Sequence, residues 1–289
     1  MYLCYSQTYP ERLQLSKSSI VKNHLPRTSF QKYVLSIIVL LFTSHSFYTY
    51  AQEITSDKPN HFRGNISITQ NGLSLIPTFS LDRPAAIFEL SLGGKRISFD
   101  PEMRFALDGQ PWSFIFWWRY KIFRSEKFKF HAGAHPAFIF RNTIVMNANG
   151  QAVPSMEARR FFAGELVPSY TFNPHISTGL LYLRGQSLGK VPLEVNQFVA
   201  ANATFTNIKI SEKYFFNARP QAFYLKMNQR DGFYASSSLL LGRRDTPISV
   251  GSIISRKITS DIPSKDWVWN VSLIYSFNNE FVKRVNPML

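Results

Sequence analysis

The longest regular pattern in the chain runs from Trp112 to Phe140. It reads WSFIFWWRYKIF, then a polar break RSEK, then FKFHAGAHPAFIF. Trp112, Phe114, Phe116, Trp118, Tyr120 and Ile122 share one parity; Ser113, Ile115, Trp117, Arg119 and Lys121 share the other. Beyond the break, Phe128, Phe130, Ala132, Ala134, Pro136, Phe138 and Phe140 alternate with Lys129, His131, Gly133 and His135. Successive side chains of a strand point to opposite faces, so a period of two over this length predicts two long β-strands. A continuous apolar face with charges opposite suits a strand with lipid outside and a polar lumen inside.

Similar segments recur, separated by turn residues. The expected strands are Leu73–Leu81, Ala85–Leu92, Lys95–Leu107, the pair above as strands four and five, Glu157–Phe172, His175–Arg184, Glu194–Ile210, Tyr214–Met227, Phe233–Gly242, Ile248–Thr259 and Asp266–Phe277. In the third, Ile97, Phe99, Pro101, Met103, Phe105 and Leu107 face out, and Arg96, Ser98, Asp100, Glu102, Arg104 and Ala106 face in. Residues 141–156 and 185–193 read as longer polar loops, and Asn228 to Gly232 as a turn. Pro77, Pro101, Pro136 and Pro220 fall on strand faces, where each removes a ladder donor, so bulges or kinks are expected there. Short connections follow even strands and longer ones follow odd strands, as in barrels with short periplasmic turns and long outer loops. A soluble barrel uses strands of about 5–6 residues; these approach the ~9–11 that a tilted membrane span requires. The expected fold is therefore all-β, a transmembrane antiparallel up-and-down β-barrel of about 12 strands, with 10 or 14 as alternative counts.

The N-terminus refines this. Tyr33 to Phe42 is apolar, follows Lys32 and leads into Thr49-Tyr50-Ala51-Gln52. That order reads as a secretory signal peptide cleaved after Ala51. The expected organisation is a leader and signal over 1–51, a periplasmic segment over 52–72, the barrel over 73–278 and a tail over 279–289; whether 62–70 adds a strand stays open. Cys4 is the only cysteine and would be removed, so no disulfide framework is expected. The 289-residue chain carries +15. Residues 1–51 hold five of 33 basic and one of 18 acidic residues, leaving 28 against 17, or +11. Such a balance permits anionic partners. With a secreted chain, these are outer-membrane lipids with their phosphates or small solutes, and not nucleic acid; Glu157, Arg159 and Arg160 read either as a site for anionic head groups or, the favoured alternative, as a solvated rim.

The signal ending in Ala51-Gln52, the run GLSLIPTFSL, the block PWSFIFWWRYK, the piece AHPAF and the final WNVSLIYSF together resemble outer-membrane β-barrel proteins of Bacteroidota type. The resemblance implies an outer-membrane location and delivery by barrel-assembly machinery. Leu273, Tyr275 and Phe277 resemble the aromatic-ended last strand such machinery reads, although Asn278 to Leu289 follow it here.

Candidate chemistry concentrates on expected strands two to five. Glu89, Arg96, Asp100, Glu102, Arg104, Arg119, Lys121, Lys129, His131 and His135 fall on the inward parity, within cross-strand reach of one another. They form either an ion-pair wall along a solute pathway, with Arg and Lys favouring anions, or a network that fills a small lumen. His131 and His135 lie ~13 Å apart along a strand, too far for one metal, and no metal or cofactor is expected. His175 and Ser177 share a face near Asn173, a weak echo of outer-membrane phospholipases. The leading expectation is a narrow, anion-leaning channel for small solutes. The alternative is a non-conducting structural or ligand-binding barrel with a charge-filled lumen. A third is an outer-membrane lipid hydrolase, although an enzyme is not the expectation.

Overall fold

The computed structural model describes residues 60–281, apart from 75, 148 and 190–194. The expected signal peptide, its cleavage point, Cys4 and nearly all of the C-terminal tail lie outside the described residues. Twelve antiparallel strands close into a barrel in which each pairs with its sequence neighbours and the first pairs with the last. They are β1 (Asn60–Thr69), β2 (Ala85–Gly93), β3 (Ile97–Ala106), β4 (Pro111–Arg124), β5 (Phe128–Met146), β6 (Ala152–Asn173), β7 (Ile176–Ser187), β8 (Val195–Lys209), β9 (Tyr214–Met227), β10 (Arg230–Arg243), β11 (Ile248–Ser260) and β12 (Trp267–Phe281).

The outer surface is apolar and the strand alternation explains it. Ile66, Ile68, Trp118, Phe162, Leu166, Leu180, Val250, Trp269 and Leu273 are all exposed large hydrophobics. Aromatic rings touch across neighbouring strands. Phe88, Phe105, Phe114 and Phe140 form one chain, with centroid spacings of 6.1, 5.2 and 5.1 Å. Phe116 meets Phe99 and Phe138 at 6.4 Å. Such pairs stabilise a sheet face beyond simple area burial. An apolar exterior over a closed ladder defines a transmembrane β-barrel.

The twelfth strand needed to close the ladder is not the expected one. Leu73–Leu81 is not a strand. β1 instead comes from residues that the sequence reading placed in a periplasmic segment, and it pairs with β12 from Asn60↔Phe281 to Thr69↔Ser272. Its alternation is weak because the outward face holds only Phe62, Ile66 and Ile68, with Gly64 between them. The barrel thus spans Asn60–Phe281 and not 73–278.

The displaced segment fills the bore. Gly72 donates its N–H to the Arg83 carbonyl (2.9 Å) and its carbonyl accepts from Leu81 N–H (2.8 Å), which ties the base of a loop. Pro77–Phe79 forms one 3-10 turn inside it. Phe79 packs on a buried cluster of Ala137, Ile139 and Phe161, with Ile115 beside it. Ile76 packs on a second cluster of Phe198, Ala200, Phe223, Leu225, Met227, Tyr234 and Ile262. The two clusters belong to the β5–β6 wall and the β8–β10 wall, so the loop crosses the bore between them. Ile262, in the β11–β12 connection, also turns inward.

Trp112 anchors this arrangement and corrects the parity read for it. The β3–β4 register shifts between Arg104 and Phe105, where Phe105 pairs with Pro111 and Arg104 with Ser113. The extra residue is Trp112. It is 1% exposed and donates its indole N–H to the Phe79 carbonyl at 2.7 Å. A bulge re-aims one side chain in this way.

Two further expectations change. Residues 141–156 are mostly strand: the β5–β6 ladder continues to Met146↔Ala152 and projects beyond its neighbours. The turn at 228–232 is shorter, because β10 begins at Arg230. Bulges do not follow the prolines either. They lie at Arg104/Phe105, Lys121/Phe123, Thr171/Asn173, Phe205/Ile208 and Phe233/Tyr234. Pro136 and Pro220 sit in ladders whose register continues past them. Length asymmetry between the ends rests on the 70–84 loop, the β5–β6 projection and the 261–266 connection; β9 and β10 are joined tightly at that same end.

The outward parity of β4 makes a direct test. Phe116→Arg places a charge on the lipid face and should cost ~2–4 kcal/mol. Its folded fraction should fall on unboiled gels relative to wild type, while Lys129→Glu, a charge change at an exposed inward position of β5, should keep the heat-modifiable band.

Candidate functional site

The lumen has two halves. Towards the 70–84 loop it is apolar, as described. Towards the short turns it is polar, and the candidate residues gather there in layers.

Arg119 is the centre of the floor. Its Nη1 donates to Asp100 Oδ2 at 2.8 Å and its Nε to Glu165 Oε1 at 2.6 Å. Asp100 also accepts from Ser91 Oγ at 2.6 Å and Ser98 Oγ at 3.1 Å. His61 shares a 2.9 Å hydrogen bond with Ser91. His131 Nε2 lies 3.5 Å from Glu165 Oε1. The network joins β1, β2, β3, β4, β5 and β6. Gly133 makes room for it: a Cβ there would meet Glu165 Oε1 at 2.9 Å and Arg119 Cγ at 3.1 Å. The guanidinium of Arg119 also stands over the Trp117 ring, 4.5 Å from its centroid. A planar, always-charged fork suits such a shared, partly buried position.

Glu102 pairs with Arg104, whose guanidinium lies 4.9 Å from the Trp112 ring centroid. Glu89 stands directly across from Glu102 in the β2–β3 register and accepts a 3.4 Å hydrogen bond from Asn65. His135 is buried against Trp117, with ring centroids 4.0 Å apart. The two histidines therefore serve different neighbours.

Above the floor, at the short-turn end, a cup of about 1240 Å³ opens to solvent. Its lining includes His61, Arg63, Lys95, Arg96, Lys121, Arg124, Lys129 and His131, with Glu126 and Glu280. Lys121 Nζ donates to the Gly94 carbonyl at 3.0 Å. Arg96 is not on a strand wall as expected: it sits in the turn before β3, and Nη1 donates to Tyr120 Oη at 3.1 Å. At the other end a cavity of about 290 Å³ lies between the 70–84 loop and the 261–266 connection, beside Asp82, Lys257 and Lys265. There the Lys257 ammonium, 2.6 Å from Asp266, holds that carboxyl below its ordinary range.

Of the expected residues, Asp100, Arg119 and His131 meet in one network, Glu102 and Arg104 in another, and Lys121, Lys129 and Arg96 line the cup. Glu165 was missed. It shares parity with Phe161, Ala163 and Val167, so the alternation of β6 alone points it inward. His61, Arg63, Lys95 and Arg124 were missed because β1 was left out and turn residues were not assigned to the lumen. The His175, Ser177 and Asn173 set does not form a relay. Asn173 Oδ1 accepts from the His175 and Ile176 backbone N–H groups (both 2.9 Å), and the His175 ring meets the Thr206 carbonyl at 3.1 Å.

No protein-family model and no curated protein matches the chain. Solved structures similar to it are outer-membrane barrels. An outer membrane channel from Pseudomonas putida F1 is 8% identical over 80% of this chain and 98% of its own, with a TM-score of 0.46. The beta domain of the Bordetella autotransporter BrkA is 10% identical over 77% and 100%, with a TM-score of 0.41. LpxR from Salmonella typhimurium is 9% identical over 74% and 99%, with a TM-score of 0.43.

The floor predicts a characteristic mutant pattern. Arg119→Met leaves two carboxylates without their shared cation, and breaking a buried pair costs about 3 kcal/mol at the lower end of its range. Arg119→Met with Asp100→Asn and Glu165→Gln should recover most of that loss, as measured by urea unfolding in detergent. Additive losses would mean the three groups are not coupled.

Proposed function

We propose that this chain is an outer-membrane barrel that does not conduct as folded, and that it works as a one-ended receptacle open at the short-turn side. The observation that carries this is the loop over 70–84. It spans the bore from Phe79 on the β5–β6 wall to Ile76 on the β8–β10 wall, and Trp112 hydrogen-bonds its middle. The ion network adds charge to the same lumen, since Arg119 on β4 bridges Asp100 on β3 and Glu165 on β6. Of the three roles expected from the sequence, a filled lumen supports the non-conducting barrel. Outer-membrane placement is supported by the architecture, since closed barrels with an apolar band are the strand solution to a bilayer. Bacteroidota affinity rests on the sequence runs quoted above. A gated channel is a second reading, favoured by hollow space at both ends of the barrel.

The test is electrical. The tied base at Gly72 and Arg83 allows residues 73–80 to be replaced by a two-residue Gly-Ser linker without disturbing β1 or β2. Wild-type protein inserted in planar bilayers should give no steps, and the shortened protein should give stepwise currents. Steady conductance from wild type, or silence from an inserted shortened protein, would remove the loop as the barrier.

A further inference from the structure

The cup carries an excess of positive charge that the layer beneath it does not. Six Lys and Arg side chains line it (Arg63, Lys95, Arg96, Lys121, Arg124 and Lys129) against two carboxylates, Glu126 and Glu280, an excess of four positive charges. Deeper in the lumen the balance reverses: Arg104 pairs with Glu102 and Arg119 with Asp100 and Glu165, and with Glu89 across from Glu102 that makes two cations against four carboxylates. Among the described residues none of the six cup cations is in an ion pair, and the side chains of Arg63, Lys95, Arg124 and Lys129 make no hydrogen bond. Surface cations that are merely solvated spread over a rim and contribute little. Here they converge on a concave space with protein walls, where fields from like charges reinforce one another.

We propose that the cup binds a compact, soluble polyanion of the polyphosphate or multiply phosphorylated class, carrying about four negative charges. Three features select that chemistry. The 1240 Å³ volume exceeds what a single phosphate needs and fits several linked phosphoryl groups. The mixture of three Arg and three Lys supplies both bidentate forks and mobile point charges, the usual partners of phosphoryl oxygens. The cup opens along the barrel axis into water. The exposed outward side chains at this end are Trp118, Tyr120, Phe128 and Tyr275, and of the six cations only Arg96 reaches one of them, the Tyr120 hydroxyl. A soluble ligand is therefore favoured over a lipid headgroup. The proposal builds on the one-ended receptacle only in giving the cup a closed floor. Its test uses equilibrium binding and not conductance, so the two readings fail separately.

The probe is inorganic tripolyphosphate, titrated calorimetrically into the folded barrel in zwitterionic detergent. One saturable site per barrel is expected, weakening as salt is raised and screening shortens. Orthophosphate should bind at least about tenfold more weakly, and Lys95→Gln with Arg124→Gln should weaken tripolyphosphate by about tenfold or more. Both positions are exposed and in or beside turns, so the heat-modifiable band should persist. Lys265→Gln, at the opposite end, should leave the affinity unchanged. Absence of saturable binding, or equal weakening by Lys265→Gln, would overturn the proposal. So would cup variants that leave tripolyphosphate binding intact but abolish association with vesicles of phosphatidylglycerol, which would assign the cations to lipid.

Discussion

Lipid offers no hydrogen-bond partner to a peptide group, so every strand of a membrane sheet must have two neighbours. In this chain that demand falls on the β1–β12 seam. Ten registered residue pairs, Asn60↔Phe281 to Thr69↔Ser272, close the cylinder. Without them β2 and β12 would each present a row of unpaired donors and acceptors to hydrocarbon. The weakly amphipathic segment at Asn60–Thr69 becomes a strand because the sheet needs an edge partner, and the more hydrophobic segment after it does not. Closure outranks local hydrophobicity.

Closure creates a second problem, which is what occupies the inside. A cylinder of twelve strands is too wide for wall side chains alone to fill it. This chain uses two different materials. At the long-loop end it uses apolar packing: Ile76, Phe79 and Ile262 come from connections and meet inward wall residues such as Phe161, Phe198 and Leu225. At mid-depth it uses ions, with Arg119 held between Asp100 and Glu165. Neither half is complete alone. Trp112 connects them, since its indole holds the Phe79 carbonyl while the Arg104 guanidinium lies against its ring.

This division explains what the sequence disclosed and what it hid. Alternation placed β2 to β12 and the inward parity of Asp100, Glu102, Arg104, Arg119, Lys121 and His131, because lipid outside and water inside impose a strict period of two. The same test misread Leu73–Leu81. Its apolar residues alternate as a strand's would, yet they pack against the lumen wall, and hydrophobicity does not distinguish lipid from a buried cluster. Trp112 failed for a related reason: a bulge adds one residue and shifts parity, and nothing in WSFIFWW marks it. Glu165 was legible from the alternation around it. Its pairing with Arg119 was not, since it depends on β4, β5 and β6 lying side by side and on Gly133 leaving space between them.

The two ends of the barrel then differ in kind. One is sealed by side chains that have already found partners. The other presents cations that have no ion-pair partner within the described residues, in a space large enough to hold what would neutralise them. Concentrating like charges in a cavity raises the free energy of the empty protein, more so as the walls exclude water. Deeper in the lumen the chain pairs its cations, with Glu102 on Arg104 and both Asp100 and Glu165 on Arg119. A cation-rich cup above a layer richer in carboxylates has a gradient of potential along the axis, positive at the cup. That gradient would draw an anion into the cup and oppose its passage into the carboxylate-rich layer below, so the arrangement favours holding a ligand over passing one.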